Sequence, residues 1–200
     1  RVGVELRRRG ELHPADARAG AAIAMLSRDA TALTPVSPWL AAFNGRPVPR
    51  FPDVIRPLEY WTPGPDGERF SSAQADLASL DIIVIAHPAC GFTRAAAEAA
   101  RTDPELMRVL SGPRALWLSP QDGTLDPRIF RDWNDRHPDL PIHIVARQSG
   151  FSEVGYWGTP TFYILRDGGV AARVVGWPRG GNKATLTKAI ADAAVPRRSR

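Results

Sequence analysis

The stretch HPACGFTR, residues 87–94, holds the one cysteine, Cys90, of a 200-residue chain. An apolar run, DIIVIA, precedes it and an alanine-rich segment follows. The thiolate is the nucleophilic form of cysteine, and a free thiol ionises near pH 8.5. Where a strand ends and a helix begins, a cysteine meets unpaired backbone N–H groups and the positive end of the macrodipole, which both favour the anion. Gly91 and Phe92 would supply such donors. Thr93, three residues on, is spaced to turn its hydroxyl toward the sulfur, and His87, three residues before, would add positive charge when protonated. The plain alternative is a buried small hydrophobe, the usual fate of a lone cysteine. The strand-to-helix position and the adjacent Gly91 favour the reactive reading.

Other chemistry-bearing residues read more simply. Glu98 and Asp103 suit solvated helix charges. His137 and His143 flank Pro138 and Pro141 with no cysteine or carboxylate at ligand spacing, so no metal site is expected. Trp117, Trp133 and Trp177 read as core or sheet-surface residues. Trp157 differs, because it falls three residues before Pro160 in a Gly-rich loop that also contains Tyr156.

The elements that must position these residues follow from periodicity. Ile82 to Ala86 is a continuous β-branched run, expected for a strand covered on both faces, and Gly91 to Ala100 reads as the following helix. A further helical turn begins at Pro104. Ala115–Ser119 and Ile142–Val145 read as strands, separated by a helix over Leu125–Arg136 with Ile129, Phe130 and Trp133 as its apolar stripe. TFYILRDGGVAARVVGW reads as two strands around an Asp167-Gly168-Gly169 turn. Asn182–Ala194 closes as a helix with Leu186 and Ile190 on one face. PDGERF, residues 65–70, predicts a small hairpin ahead of the main sheet. Strands alternating with helices and ending in a hairpin and helix give an α/β fold with a mixed central sheet.

Residues 1–56 differ in character. Pro14–Arg28 reads as a helix beginning beside His13, with Ile23 and Leu26 three apart on its apolar side, and Ser37–Phe43 as a second, short one. Pro47, Pro49, Pro52 and Pro57 then make a stiff connector. The division expected is a helical N-terminal extension over 1–56, a main domain over 57–195 and a basic tail over 196–200.

Composition narrows the classes. The chain has 44% hydrophobic and 24% charged residues, a net charge of +5 and an isoelectric point near 10.1. Its arginines are dispersed rather than arranged as a basic stripe with interleaved aromatics, so nucleic acid is not an expected partner. One cysteine excludes an intramolecular disulfide. No apolar stretch reaches the roughly 20 residues that span a bilayer. A chain beginning at Arg1 rather than Met suggests processing, with a removed signal peptide, a removed membrane anchor or trimming as the alternatives.

IIVIAHPACGFTRAAAEA resembles the active-site segment of the thioredoxin superfamily, in which a strand delivers a C-x-x-C motif onto a helix. GYWGTPTFYILRDGGVAARVVGW resembles that superfamily's second signature, a cis-proline after a short loop followed by a hairpin. The added strand-helix segment over Ala115–Val145, and the leading EYWTPGPDGERFSSAQADLASL, resemble the TlpA-like branch. The resemblance covers Leu58 to Ala194. It implies a thioredoxin-like fold, Pro160 as a cis-proline against the sulfur of Cys90, and Thr159 offering its backbone to an extended substrate. It also exposes departures: Thr93 stands where the family has its second cysteine, and Ala89 where an aromatic residue is usual. CGFT is similar to the CGFS motif of monothiol glutaredoxins, but no lysine stands just upstream and their glutathione-binding pattern is missing after Pro160. A one-cysteine peroxiredoxin would need Thr or Ser where His87 stands.

The resemblance therefore implies monothiol disulfide exchange through Cys90, Thr93 and Pro160, with His87, Gly91, Phe92, Trp157 and Thr159 at the substrate. No cofactor is implied; glutathione is a candidate external thiol. The partners would be a protein or low-molecular-weight thiol or disulfide, with a homodimer left open and membrane association arising only through a removed N-terminal segment. The location implied is the bacterial cell envelope, periplasmic or membrane-anchored. The alternative is a non-catalytic binding module that recognises extended peptides at the cis-proline.

Overall fold

The computed structural model describes residues 13–28, 31, 51, 55–66, 69–122 and 126–194. The expected Ser37–Phe43 helix, Pro47, Pro49, Pro52 and the basic tail lie outside the described residues. The elements in chain order are α1 (Pro14–Ser27), β1 (Glu59–Pro63), β2 (Phe70–Gln74), β3 (Ile82–Ile85), α2 (Gly91–Thr102), α3 (Pro104–Leu110), β4 (Ala115–Ser119), α4 (Pro127–Arg136), β5 (Ile142–Val145), β6 (Thr161–Arg166), β7 (Gly169–Val175) and α5 (Lys183–Ala194). Short 3-10 turns cover Leu77–Ser79 and Gln148–Gly150.

The strands form one mixed sheet of seven, in the order β2-β1-β5-β4-β3-β6-β7. The three central strands, β5, β4 and β3, run parallel, and antiparallel pairs close both sides. The fold is α/β, with a thioredoxin-like mixed sheet flanked by helices. The hairpin expected ahead of the main sheet is instead part of it. β1 pairs with β2 on one side and with β5 on the other, and places Trp61 in the core with no exposed surface. An apolar Trp61 side chain alternating with polar neighbours needs a second layer, and Phe51 and Phe70 stack on its ring at 5.5 Å each.

β3 behaves as its composition requires. Ile82 and Val84 enter one buried cluster with Trp117, Ile142 and Phe162, while Ile83 and Ile85 enter a second with Leu118, Val145 and Tyr163. All five described helices contribute to the first cluster; the second is closed by Phe151, Val154 and half-buried Trp157. α2 presents Thr93, Ala96, Ala97 and Ala100 inward, and side chains this small let the helix lie close on the sheet. α4 starts at Pro127, two residues later than expected, because Asp126 caps it through the Arg128 N–H and a proline fits the first turn. The β6–β7 turn has positive φ at Asp167 (53°) and Gly168 (77°), the geometry that Asp-Gly tolerates in a tight hairpin.

α1 corrects one expectation. Its buried residues are Ala21 and Ala24, whereas Ile23 and Leu26 are 66% and 46% exposed. The two alanines face the first cluster, so Ile23 and Leu26, each two positions further along, turn outward. The helix ends at Arg28, whose φ of 53° and backbone bonds to Ala24 and Met25 close the last turn. Among the described residues no helix is long and apolar enough to cross a membrane.

Candidate active site

β3 carries the chain to Ala86, whose N–H bonds the Leu118 carbonyl at 2.8 Å. A tight turn follows, closed by the Cys90 N–H on the His87 carbonyl at 2.9 Å. Cys90 is the extended residue capping α2, and its own carbonyl accepts the Arg94 N–H at 3.1 Å. The thiol thus stands at the helix mouth, partly open to solvent, as the strand-to-helix reading requires. Gly91 is exposed and Phe92 is 57% exposed beside it.

The facing loop arrives by sheet register. Because Ile85 pairs with Thr161 across β3 and β6, the residues just before β6 lie opposite the end of β3. The Thr159–Pro160 peptide bond there is cis, the isomer the resemblance implies. The Cys90 Sγ–H donates to the Thr159 carbonyl at 3.4 Å. The loop is pinned on several sides. The Pro160 carbonyl accepts the Gly176 N–H at 2.8 Å and the Thr161 hydroxyl donates to Gly158 at 2.6 Å. The Tyr163 hydroxyl accepts from the Tyr156 N–H and donates to the Tyr156 carbonyl, both at 2.8 Å.

The electrostatics favour the thiolate. Burial pushes the Cys90 thiol up, but hydrogen bonding from the Thr159 side chain, the Thr93 N–H and hydroxyl, and the Phe92 N–H outweighs it, so the thiol lies below its ordinary value. Thr93 is fully buried. Its oxygen accepts the His87 N–H at 3.3 Å, which leaves its proton for the sulfur.

His87 takes a different place from the one its spacing suggested. Its Nδ1 accepts the Ala89 N–H at 3.1 Å. Nε2 faces Asp122 Oδ2 at 3.2 Å, and Phe130 packs edge-on against the ring at 5.4 Å. The ring holds the turn that presents Cys90, and the groups that keep the thiol low are Thr159, Thr93 and Phe92. Trp157 turns edge-on to Phe151 at 6.2 Å, leaving Tyr156, 46% exposed, as the outward aromatic of the loop.

A groove of about 700 Å³ is lined by Gly91, Phe92 and Ala95 of α2 and by Trp177, Pro178 and Arg179 after β7. Among the described residues no cluster of three His, Cys, Asp or Glu side chains could hold a metal ion. His143 bonds the Thr62 hydroxyl at 2.8 Å through Nδ1, and burial lowers its pKa to about 4. His137 stacks on Trp133 at 4.0 Å. Both rings are structural. Asp122 and Tyr163 escaped the sequence reading, since neither has a neighbour in sequence that marks it; only folding brings them to the turn and the loop. No family model matches the chain, and no curated protein matches it.

Proposed function

We propose that the protein is a monothiol thiol–disulfide exchange protein related to the TlpA-like branch of the thioredoxin superfamily, with Cys90 as the attacking sulfur. The observation that carries this reading is the placement of a partly exposed, pKa-lowered thiol at a helix mouth, 3.4 Å from the carbonyl that precedes a cis-proline. The Cys90 thiolate attacks one sulfur of a substrate disulfide, R–S–S–R′. The Cys90–S–S–R bond forms, the S–S bond of the substrate breaks, and R′S⁻ leaves and takes a proton from water. Cys90 is oxidised to the mixed disulfide and R′ is reduced to its thiol. Because Thr93 offers no second sulfur, a separate thiol must attack the mixed disulfide, joining R and freeing Cys90; glutathione or a partner protein would serve. The substrate is a protein or low-molecular-weight disulfide, held along Thr159 and over the groove beside Phe92 and Trp177. The cell envelope is the compartment this reading favours.

The second reading is a peptide-binding module without exchange, favoured by the buried Thr93 in the place of a resolving cysteine. Titrating Cys90 alkylation against pH separates the two. An apparent pKa well below 8.5 supports exchange, and an unreactive or ordinary thiol supports binding alone.

A further inference from the structure

We propose that the protein self-associates through β2, two copies pairing this edge strand antiparallel about Ser72 so that their sheets become continuous. The surface is separate from the thiol site, because β1, β5 and β4 stand between β2 and the strand that leads to Cys90.

β2 and β7 are the outer strands of the sheet, and an outer strand carries a row of backbone groups that no neighbouring strand uses. On β2 the ladder shows which groups these are. The Ala75 N–H bonds the Leu58 carbonyl at 2.9 Å, and the Gly64 N–H bonds the Arg69 carbonyl at 2.8 Å. Bonded pairs alternate along an antiparallel ladder. With the register Tyr60↔Ala73 and Thr62↔Ser71, the N–H and C=O of Ser71 and Ala73 therefore face β1. Those of Phe70, Ser72 and Gln74 point the other way, where no strand among the described residues pairs with them. Ser71, Ser72, Ala73 and Gln74 are all exposed, so the row is open to solvent.

The two edges are not equivalent. On β7 the Gly176 N–H bonds the Pro160 carbonyl at 2.8 Å, and the same alternation turns the backbone of Arg173 and Val175 outward. That edge carries an exposed arginine at position 173 and a bulge at Ala171, where the pairing steps from Ile164↔Ala172 to Leu165↔Val170. Charges and bulges keep edges from pairing. The strand FSSAQ has neither: its register is regular, and it contains no charged residue and no proline.

Whatever pairs with β2 must offer outward backbone groups on alternate residues over five positions, with small side chains beside Ser72. A second β2 meets both conditions. In antiparallel self-pairing about Ser72, that serine faces its own copy and Phe70 faces Gln74 in both directions. Every outward N–H and C=O of one strand then finds its complement on the other, as an isologous two-fold contact requires. No like charges meet along the strand, and facing serine hydroxyls add a cross-strand hydrogen bond. Five residues a side is far fewer than the roughly 20–30 of a stable interface, and each copy carries a net charge of +5. Association is therefore weak, and it strengthens with salt, which screens the repulsion. At roughly 4.8 Å per strand the two β3 strands lie about 40 Å apart along the joined sheet, so the pairing needs no disulfide between Cys90 residues.

The test is sedimentation equilibrium of the full chain with reductant present, from about 10 μM to about 1 mM, the range in which weak interfaces assemble. The weight-average mass is expected to rise toward twice the monomer value, and more steeply with added salt. Amide exchange followed by NMR at both ends of that range locates the contact. The amides of Phe70, Ser72 and Gln74 slow severalfold at the higher concentration, whereas those of Ser71 and Ala73 are protected throughout. Ser72→Pro deletes an outward N–H that β1 does not use, at an edge position that tolerates proline; it stays monomeric with the parent's urea midpoint. Ser72→Lys sets two ammonium groups opposite each other and weakens association by about fivefold at low salt, and Ser72→Thr associates as the parent does. A mass that stays monomeric in reductant, protection that appears at Arg173 and Val175 instead, or a folded Ser72→Pro chain that dimerises as the parent does overturns the proposal. If Ser72→Pro does not fold, Ser72→Lys decides in its place: association as tight as the parent's at low salt overturns it. None of these readings involves the reactivity of Cys90, so the self-association and the proposed function fail independently.

Discussion

Cys90 and Thr159, 69 positions apart in sequence, meet through sulfur and carbonyl oxygen at 3.4 Å. The same threonine offers its side chain to the sulfur and lowers the thiol's pKa. In the protonated form the thiol gives its hydrogen to the carbonyl; in the ionised form it accepts from the hydroxyl. Thr159→Ala removes the second interaction and keeps the first. Alkylation of Cys90 at pH 7 should slow by about threefold, while the rate near pH 10, where every thiol is ionised, should stay at the parent value. A rate lost equally at both pH values would mean that access, not ionisation, had changed.

Thr93 joins the turn to the helix. Its oxygen accepts the His87 N–H and its hydroxyl faces the sulfur, with no exposed surface. Thr93→Val keeps the shape and deletes both interactions. The His87 N–H is then left without an acceptor, at a cost of about 1–2 kcal/mol, readable as a lower urea midpoint. Alkylation at pH 7 should slow as well, and Thr93→Ser should restore most of both.

The loop before the cis-proline hangs on one hydroxyl. Tyr163 bonds the N–H and the carbonyl of Tyr156, both at 2.8 Å. Tyr163→Phe leaves two backbone groups unpaired while preserving the ring. We expect a loss of about 1–3 kcal/mol and faster amide exchange over residues 154–158. A variant as stable as the parent, with unchanged exchange, would show that packing alone holds this loop.

His143 makes stability depend on pH. Burial drops its pKa to about 4, below the value near 6.5 of an unfolded histidine. Below about pH 6.5 the unfolded chain takes up a proton that the folded chain refuses, so stability falls as pH drops from 6.5 toward 4. Because the ring is only half-buried by its surface, the loss should be about 2 kcal/mol rather than the full linkage value. The difference between unfolding midpoints at pH 7 and pH 4.5 should shrink in His143→Gln.

Phe51 tests whether the segment ahead of the first strand belongs to the core. It is 7% exposed and stacks on Trp61 and Phe70 at 5.5 and 6.4 Å. Phe51→Ala should cost about 3 kcal/mol. A loss below 1 kcal/mol in urea unfolding would place the phenylalanine outside the cooperative unit.

Much of the arrangement is legible in the sequence because it is local. The run Ile82–Ala86 can only be a strand covered on both faces, Pro127 behind Asp126 starts a helix, and Asp167-Gly168 closes a hairpin. Strand, turn and helix in immediate succession also place Cys90 at a helix mouth. The hairpin of β1 and β2 was legible as a hairpin but not as an edge of the main sheet, since pairing with β5 joins residues more than eighty positions apart. On α1 the periodicity pointed to Ile23 and Leu26, yet the close approach of the helix to the core selects Ala21 and Ala24.

The sequence by itself determined the order of elements, the single sulfur and its place at the junction of β3 and α2, because each depends on neighbours within a helical turn or one strand. Tertiary structure alone decided the partners of that junction. Thr159 reaches the sulfur by the register of β6 on β3, and Asp122 reaches His87 because the end of β4 lies alongside the end of β3. The physical reason is that hydrogen bonds and charges act over a few ångströms, and only the paired sheet brings groups so distant in sequence within that range.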